Sequence, residues 1–185
     1  MYLFHGSSIK NLKVIQSSYF NSPENFEKDG IYLTDNFSIA KEYAQDNGSV
    51  YLVDVNNYRL LDLTTQELIS SFFRVISEKV GIDLEQHDYF SSMIYFISQP
   101  SGKSGNGIWC LSLDVIDVLK KTSFSKKNDL RLNPDFDEFC QKVKTTIETE
   151  IRNYDLWKIK DPEHGSDGAY IYILKRDSIK VLEEL

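Results

Sequence analysis

The stretch DGIYLTDNFSIAKEYA, residues 29–44, carries the strongest local signals in the sequence. Its first two residues are a turn signal, and Ile31–Leu33 then predicts a short strand. Asp35 or Asn36 can cap a helix that ends by Gly48. The apolar side chains of this helix recur at the spacing of one helical face: Phe37, Ala40, Tyr43 and Ala44. The stretch therefore predicts a strand-to-helix unit.

Further strand signals lie at both ends of the chain. The N-terminal YLFHGSS (Tyr2–Ser8) begins as a strand that ends near His5, and a weaker signal lies around Leu12–Ile15. Ser49–Val55 reads as a clear strand, and Arg59–Leu63 predicts another. Two strand-like pieces, AYIYIL and SIKVL, close the chain after a charged loop that follows Trp157. Both termini are therefore expected to join one sheet.

The middle of the chain, about 64–153, has helical periodicity instead. Its first helix begins at a capping-box pattern of Thr64 and Glu67 and stops at Gly81. Strand-rich ends around a helical middle predict an α+β protein. We expect a single domain, 1–185, with a helical insertion at about 64–153.

Composition limits the classes of function. The 185 residues carry a formal net charge of −7, which argues against a broad nucleic-acid footprint or an anionic-membrane surface, because both favour a basic face. No apolar run reaches the roughly 20 residues of a membrane span, and no leader pattern precedes the first strand. Cys110 and Cys140 lack metal or disulfide spacing. These features favour a cytoplasmic protein with reduced thiols and no membrane partner.

Three polar segments carry weaker signals. The loop PSGKSGNG (residues 100–107) lacks the earlier glycine of a phosphate-binding loop, since Ile97 stands there, and it is expected to be a flexible connection. The loop DPEHGSDG, around His164, has oxygen and imidazole groups without ordered ligand spacing, so a solvated acidic loop is favoured and no metal ligand is assigned. His87 is expected on a helix surface.

Two tyrosines of the strand-to-helix unit suggest a binding slot. Tyr32 lies in the strand, and Tyr43 follows 11 positions later in the helix. Their rings can face each other across a slot in which a flat aromatic ligand stacks; the alternative is that both are ordinary core aromatics. Gly6 allows a ligand to approach the backbone closely, because no Cβ intervenes. His5, at the end of its strand, can donate a hydrogen bond to a sugar hydroxyl.

His5-Gly6-Ser7 together with Gly30-Ile31-Tyr32-Leu33-Thr34-Asp35, Ser38 and Tyr43 resembles the ADP-ribosyltransferase fold. The similar class is the His-Tyr-Glu class of diphtheria-type toxins and poly(ADP-ribose) polymerases, and the resemblance covers about residues 2–55 and, more loosely, the terminal strands. It implies two antiparallel sheets around a cleft for NAD, which serves as co-substrate.

The resemblance also assigns roles to single residues. It implies that the Gly6 backbone holds the nicotinamide carboxamide, that His5 bonds the adenosine-side ribose, and that Tyr32 and Tyr43 enclose the nicotinamide ring. Ser7 and Ser38 match the same motifs and complete the expected NAD-binding set. His5 and Tyr32 are also the residues expected to take part in catalysis.

The sequence departs from the family pattern at two positions. Ala40 stands where the family often has a serine that bonds the carboxamide. Ala169 stands where the family has the glutamate that bonds the nicotinamide ribose and stabilises the cationic transition state. Asp167 is the nearest substitute and is expected to be catalytic, with Glu163 second; the alternative for Asp167 is that it only shapes the turn.

The resemblance thus implies mono-ADP-ribosyl transfer from NAD to a macromolecular acceptor, with a protein favoured over nucleic acid. Such a protein would be toxin-like or effector-like, of bacterial or phage type, and would act in its own cytoplasm or in that of a host or target cell. Two alternatives stay open. One is NAD hydrolysis, and the other is a non-catalytic NAD-fold module that binds a partner protein.

Overall fold

The structure, a computed structural model, describes residues 1–17, 30–81, 136–161 and 169–185. The sequence predictions for Asp167, Glu163, His164, His87, Cys110 and residues 100–107 lie outside these ranges. The chain divides into two compact units. The first comprises Met1–Leu61 with Tyr154–Leu185, and the second comprises Asp62–Asn153. That the helical residues are an insertion into a single domain stays a prediction.

The first unit is built on β-strands. They are β1 (Tyr2–Ser7), β2 (Val14–Gln16), β3 (Ile31–Thr34), β4 (Ser49–Asp54), β5 (Leu60–Asp62), β6 (Leu156–Lys160), β7 (Tyr170–Leu174), β8 (Ser178–Lys180) and β9 (Glu183–Glu184), with one helix, α1 (Phe37–Ala44). Seven strands form a sheet in the order β5-β6-β7-β3-β1-β4-β9, and β2 pairs with β8 in a second sheet. The pairing is mostly antiparallel, so the predicted α+β class is confirmed.

The two faces of the large sheet carry different side chains, because successive residues of a strand point to opposite faces. One face, the core face, holds buried residues such as Leu3, Leu33, Tyr51 and Tyr172, which pack in one cluster with Ile15 of β2 and Ile179 of β8. The opposite face, the helix face, carries Phe4 and Val50, which pack against Ala40 and Ala44 of α1. The helix face is where α1 lies over β1.

Helix α1 begins as predicted and ends earlier. The Asn36 side chain accepts hydrogen bonds from the amides of Ser38 and Ile39, so Asn36 is the N-cap. The helix ends at Ala44, and Gln45 follows with a φ of 60°. Gly48 is not the stop. A Cβ at Gly48 would lie 1.9 Å from the Ala44 carbonyl oxygen and 2.2 Å from that of Ser7, so this glycine lets the returning chain pass between α1 and β1.

The second unit contains two described helices, α2 (Gln66–Val80) and α3 (Phe136–Ile151). Helix α2 ends as predicted, with Gly81 in the left-handed conformation. Its predicted cap at Thr64 is wrong. Thr65 is the N-cap and accepts the Leu68 amide hydrogen bond, because the Thr64 hydroxyl donates instead to Asp62 at 2.6 Å. Lys79 of α2 forms an ion pair with Glu150 of α3.

One further prediction is wrong. The residues after Trp157, expected as a charged loop, begin as β6, which pairs with β7 from Leu156–Leu174 to Lys160–Tyr170. Lys158 is accommodated in this strand because its ammonium group lies 4.1 Å from the centroid of the Tyr170 ring, where a cation is attracted to the π face.

Candidate functional site

His5 lies on β1 with its ring turned toward β3. Its Nδ1 lies 2.9 Å from the Tyr32 carbonyl oxygen. A carbonyl oxygen only accepts, so Nδ1 carries the proton and donates this bond. Burial lowers the pKa of His5 below 6.5, and the bond to Tyr32 opposes that effect without cancelling it. The ring is therefore neutral at pH 7, and Nε2, which bonds no described residue, presents a lone pair.

The tautomer changes what His5 can do for a ligand. The sequence suggested that His5 donates to a sugar hydroxyl. With the proton fixed on Nδ1, Nε2 is instead an acceptor. A hydroxyl at this position would donate its proton to Nε2 and keep its own oxygen available for a second bond.

Gly6 directs its backbone polar groups toward β3. Residues of a strand between two antiparallel neighbours bond alternately to one side and the other. The Val55 amide donates to the Met1 carbonyl at 2.9 Å. The N–H and C=O groups of the odd-numbered residues of β1 therefore point toward β4. Phe4 and Gly6 therefore direct N–H and C=O toward β3.

The ladder between β1 and β3 stops before it reaches Gly6. Phe4 pairs with Thr34, and one step further the register would pair Gly6 with Tyr32. That pair does not form, and the Tyr32 carbonyl accepts from His5 instead. We call the opening between the Gly6 and Tyr32 backbones the β1–β3 gap. Gly6 thus offers one donor and one acceptor to this gap.

The need for glycine at position 6 has a different cause from the one expected. A Cβ on Gly6 would lie 1.9 Å from the Ala40 carbonyl oxygen and 2.8 Å from the Ala44 amide nitrogen. The missing side chain therefore makes room for the backbone of α1, rather than for a ligand. The consequence for the site is indirect, since this close approach holds α1 against the β1–β3 gap.

Tyr32 and Tyr43 are not core aromatics. Tyr32 is 39% exposed and Tyr43 is 50% exposed. Tyr32 and Thr34 are two residues apart in β3, so their side chains point to the same face of the sheet. Thr34 pairs with Phe4, which lies on the helix face, so Tyr32 lies on the helix face as well. Tyr43 belongs to the helix that covers this face. Both aromatic rings are thus carried by elements that border the β1–β3 gap, and both are accessible.

The two serines of the motif lie at the margins. The Ser7 hydroxyl accepts the Ile9 amide hydrogen bond at 3.1 Å, which shapes the turn after β1. Ser38 is exposed in the first turn of α1. Of the predicted binding residues, Gly6 and Tyr32 therefore border the β1–β3 gap, and Tyr43 lies on the adjacent helix. His5 bonds the Tyr32 carbonyl, but its side chain points to the core face, as do its neighbours Leu3 and Tyr51, and not to the helix face of the two tyrosines.

Ala169, where the resemblance implies a glutamate in the similar family, lies on the same face. Thr34 pairs with Ile171, so the Ile171 side chain points to the helix face. Ala169 is two residues earlier on the same strand and therefore points to the helix face too. Ala169 is 7% exposed and carries only a methyl group there. Ala40, at the position where the similar family often has a serine, is 1% exposed and packs between α1 and the sheet.

The loop after Ser7 is held by a residue that no sequence signal marks. The Glu184 carboxylate accepts from the Ser49 hydroxyl at 2.7 Å and from the Asn11 amide at 3.1 Å. These bonds, the one from Ser49 first, lower the pKa of Glu184. Asn11 and Glu184 are 173 positions apart, so only the pairing of β9 with β4 brings them together.

Comparison of the chain with protein-family models, with curated proteins and with solved structures found no match. Among the described helices, none combines the length and the apolar character needed to cross a membrane.

Proposed function

We propose that the chain is an ADP-ribosyltransferase-like domain that binds NAD at the β1–β3 gap and transfers ADP-ribose to a macromolecular acceptor. The observation that supports it best is the backbone of Gly6. Its N–H and C=O face a gap that is bordered by the His5 ring and by the elements carrying two exposed tyrosines.

The chemistry of nicotinamide fits these groups. A carboxamide offers one carbonyl acceptor and one amino donor, the complement of a strand residue whose N–H and C=O both point to the gap. The flat pyridinium ring would stack between Tyr32 and Tyr43, as π faces attract a cation. A ribose hydroxyl would donate to Nε2 of His5. In this proposal the sheets correspond to the two antiparallel sheets of the fold that the sequence motifs resemble.

The proposed reaction balances without a further cofactor. The bond between nicotinamide and the ribose C1′ breaks, and its electron pair leaves with nicotinamide. A nucleophilic oxygen, nitrogen or sulfur of the acceptor forms the new bond to C1′ and releases its proton to solvent. The acceptor class that we favour is protein, because the net charge of −7 repels nucleic acid. One ADP-ribose is added for each acceptor group.

Ala169 favours a second candidate, an NAD-binding module without turnover. A methyl group cannot stabilise the positive charge that develops on the ribose. If no other carboxylate serves, NAD would bind at the β1–β3 gap and the protein would act through a partner.

One experiment separates these functions. The purified protein is incubated with NAD labelled on the adenylate, alone and with bacterial lysate, and released nicotinamide is measured in parallel. Label on a protein band supports transfer, nicotinamide without transferred label supports hydrolysis, and NAD binding without either supports the module. Tyr43→Ala should weaken NAD binding, while Tyr2→Ala, which removes an aromatic ring that is 58% exposed on the same sheet, is the matched control. Absence of NAD binding by the unaltered protein would refute the proposal.

A further inference from the structure

The side chain of His5 lies at the point where β1 and β3 separate. We propose that His5 holds these two strands apart by donating its Nδ1 proton to the Tyr32 carbonyl, and that it thereby keeps the Gly6 backbone available to a ligand. This makes His5 a positioning residue for the NAD site, a part of the inference that rests on the proposed function.

Both strands are regular at the point where they part. On the side away from the β1–β3 gap, Gly6 of β1 pairs with Val50 of β4. On the far side of β3, Tyr32 pairs with Ile173 of β7. Neither strand has ended at this point, so the separation is confined to the space between β1 and β3. It therefore needs a local cause.

The backbone groups along the gap are the reason that a cause is needed. Backbone N–H and C=O groups that are shielded from water nearly always have a hydrogen-bond partner, and an antiparallel ladder supplies one at every second residue. After the pair of Phe4 and Thr34, the next pair of this ladder would join the backbones of Gly6 and Tyr32. A side chain that satisfies one of these groups reduces the gain from closing the ladder.

His5 supplies such a side chain. Its Nδ1 lies 2.9 Å from the Tyr32 carbonyl oxygen, and the ring belongs to the residue directly before Gly6. The carbonyl is therefore satisfied without the Gly6 amide. Because the imidazole ring is rigid and is attached to β1, the bond also acts as a spacer between the two backbones.

A second side chain diverts β3 one step further along the register. Continued from the pair of Phe4 and Thr34, the ladder would place Gly30 opposite Ser8, with the Gly30 amide directed toward β1. That amide donates instead to the Ser17 hydroxyl at 3.2 Å. A carbonyl and an amide that would continue the ladder are therefore both bonded to side chains.

The test follows hydrogen exchange of the Gly6 amide in the unaltered full chain, in His5→Leu and in His5→Asn. Leucine cannot donate to the Tyr32 carbonyl, whereas the asparagine amide can donate in place of Nδ1. We expect His5→Leu to slow exchange at Gly6 by about 10-fold or more, because the Gly6 amide then pairs with Tyr32. In His5→Asn the rate should equal that of the unaltered chain. The Phe4 amide, already in the ladder, is the internal reference and should exchange slowly in all three proteins.

The Kd for NAD, measured by calorimetry, is the second readout. We expect His5→Leu to raise it by about 10-fold or more, because closing the ladder removes the Gly6 groups from the site. The variant His5→Asn keeps the gap and lacks only Nε2, so its Kd should rise less.

A measurement on the unaltered chain covers the case in which His5→Leu does not fold. The ¹⁵N resonances of the His5 ring should show a proton on Nδ1, with a scalar coupling across the hydrogen bond to the Tyr32 carbonyl carbon. The Gly6 amide should also exchange faster than the Phe4 amide.

The outcomes separate this inference from the proposed function. If exchange at Gly6 is the same in His5→Leu and the unaltered chain, or if Nδ1 carries no proton, His5 does not hold the strands apart, although NAD binding by the unaltered chain would still support the proposed function. If His5→Leu slows exchange at Gly6 and leaves the Kd unchanged, His5 is not a positioning residue for NAD. If the unaltered chain does not bind NAD, the proposed function fails and the exchange rates alone decide whether His5 separates the strands.

Discussion

Substituting Gly6 by alanine tests how α1 is held over the sheet. The new Cβ would lie 1.9 Å from the Ala40 carbonyl oxygen, and ordinary contact begins at 3.4 Å, so α1 must retreat by about 1.5 Å. The obstructing atoms belong to helix backbone, which cannot rotate away as a side chain can. Overpacking typically costs about 1–3 kcal/mol, and we expect Gly6→Ala to lie at the upper end of this range, about 3 kcal/mol.

The assay must report on the unit that contains Gly6. Trp157 is buried in that unit, and the other tryptophan of the sequence is Trp109. Urea unfolding in a Trp109→Phe background is therefore followed by Trp157 fluorescence. With an m-value of about 2 kcal/mol/M, 3 kcal/mol lowers the midpoint by about 1.5 M.

A double mutant provides the refutation. Because the Gly6→Ala methyl would strike the carbonyl of residue 40 and not its side chain, Ala40→Gly should not restore stability. We expect the double mutant to be less stable than Gly6→Ala alone, since glycine within a helix costs about 1 kcal/mol. Restored stability, or a Gly6→Ala protein that loses less than about 0.5 kcal/mol, would show that the packing of α1 on β1 is not as described.

Two more predictions concern titration and hydrogen exchange. Because burial lowers the pKa of His5, the folded state resists protonation, and its stability should fall as the pH drops below 6.5, the unfolded pKa; His5→Asn should remove this part of the pH dependence in urea titrations at pH 5 to 8. Glu184→Ala should accelerate hydrogen exchange of the Asn11 amide measured by NMR, because that amide loses its acceptor.

Each of these has its own control. The Asn side chain can still donate to the Tyr32 carbonyl, so an unchanged pH profile in His5→Asn would exclude His5 as the titrating group. Glu183→Ala removes a carboxylate from the same strand, β9, and should leave exchange at Asn11 unchanged. Since the pKa of Glu184 is lowered, protection of Asn11 should persist in mild acid and be lost only as the pH falls through that lowered pKa. Equal effects of the two glutamate variants would contradict the specific contact.

The strands and helix ends with strong local signals could be predicted from the sequence. Gly81 ends α2 because a left-handed residue there favours glycine, and Asn36 caps α1 because its short side chain reaches two backbone amides. The sequence pattern predicts the α2 cap at Thr64, one residue before the actual cap, Thr65. Thr64 and Thr65 have equal local propensity, and the choice depends on the bond between Thr64 and Asp62.

The polar geometry of the site depends on strand pairing, which local sequence does not specify. Read by itself, Gly6 suggests close approach of a ligand, but the atoms nearest to its missing Cβ belong to α1. The role of Nε2 of His5 follows from a bond to Tyr32, 27 positions away.

The most direct test of the proposed NAD site is an NMR titration of the ¹⁵N-labelled chain with NAD. We predict saturable shifts that are largest at the Gly6 amide, with the His5 ring and Tyr43 following the same binding curve. Tyr43→Ala should move that curve to higher NAD concentration. If the Gly6 amide does not shift at millimolar NAD, or if the shifts are confined to residues 62–153, NAD does not bind at the β1–β3 gap and the proposed function is wrong.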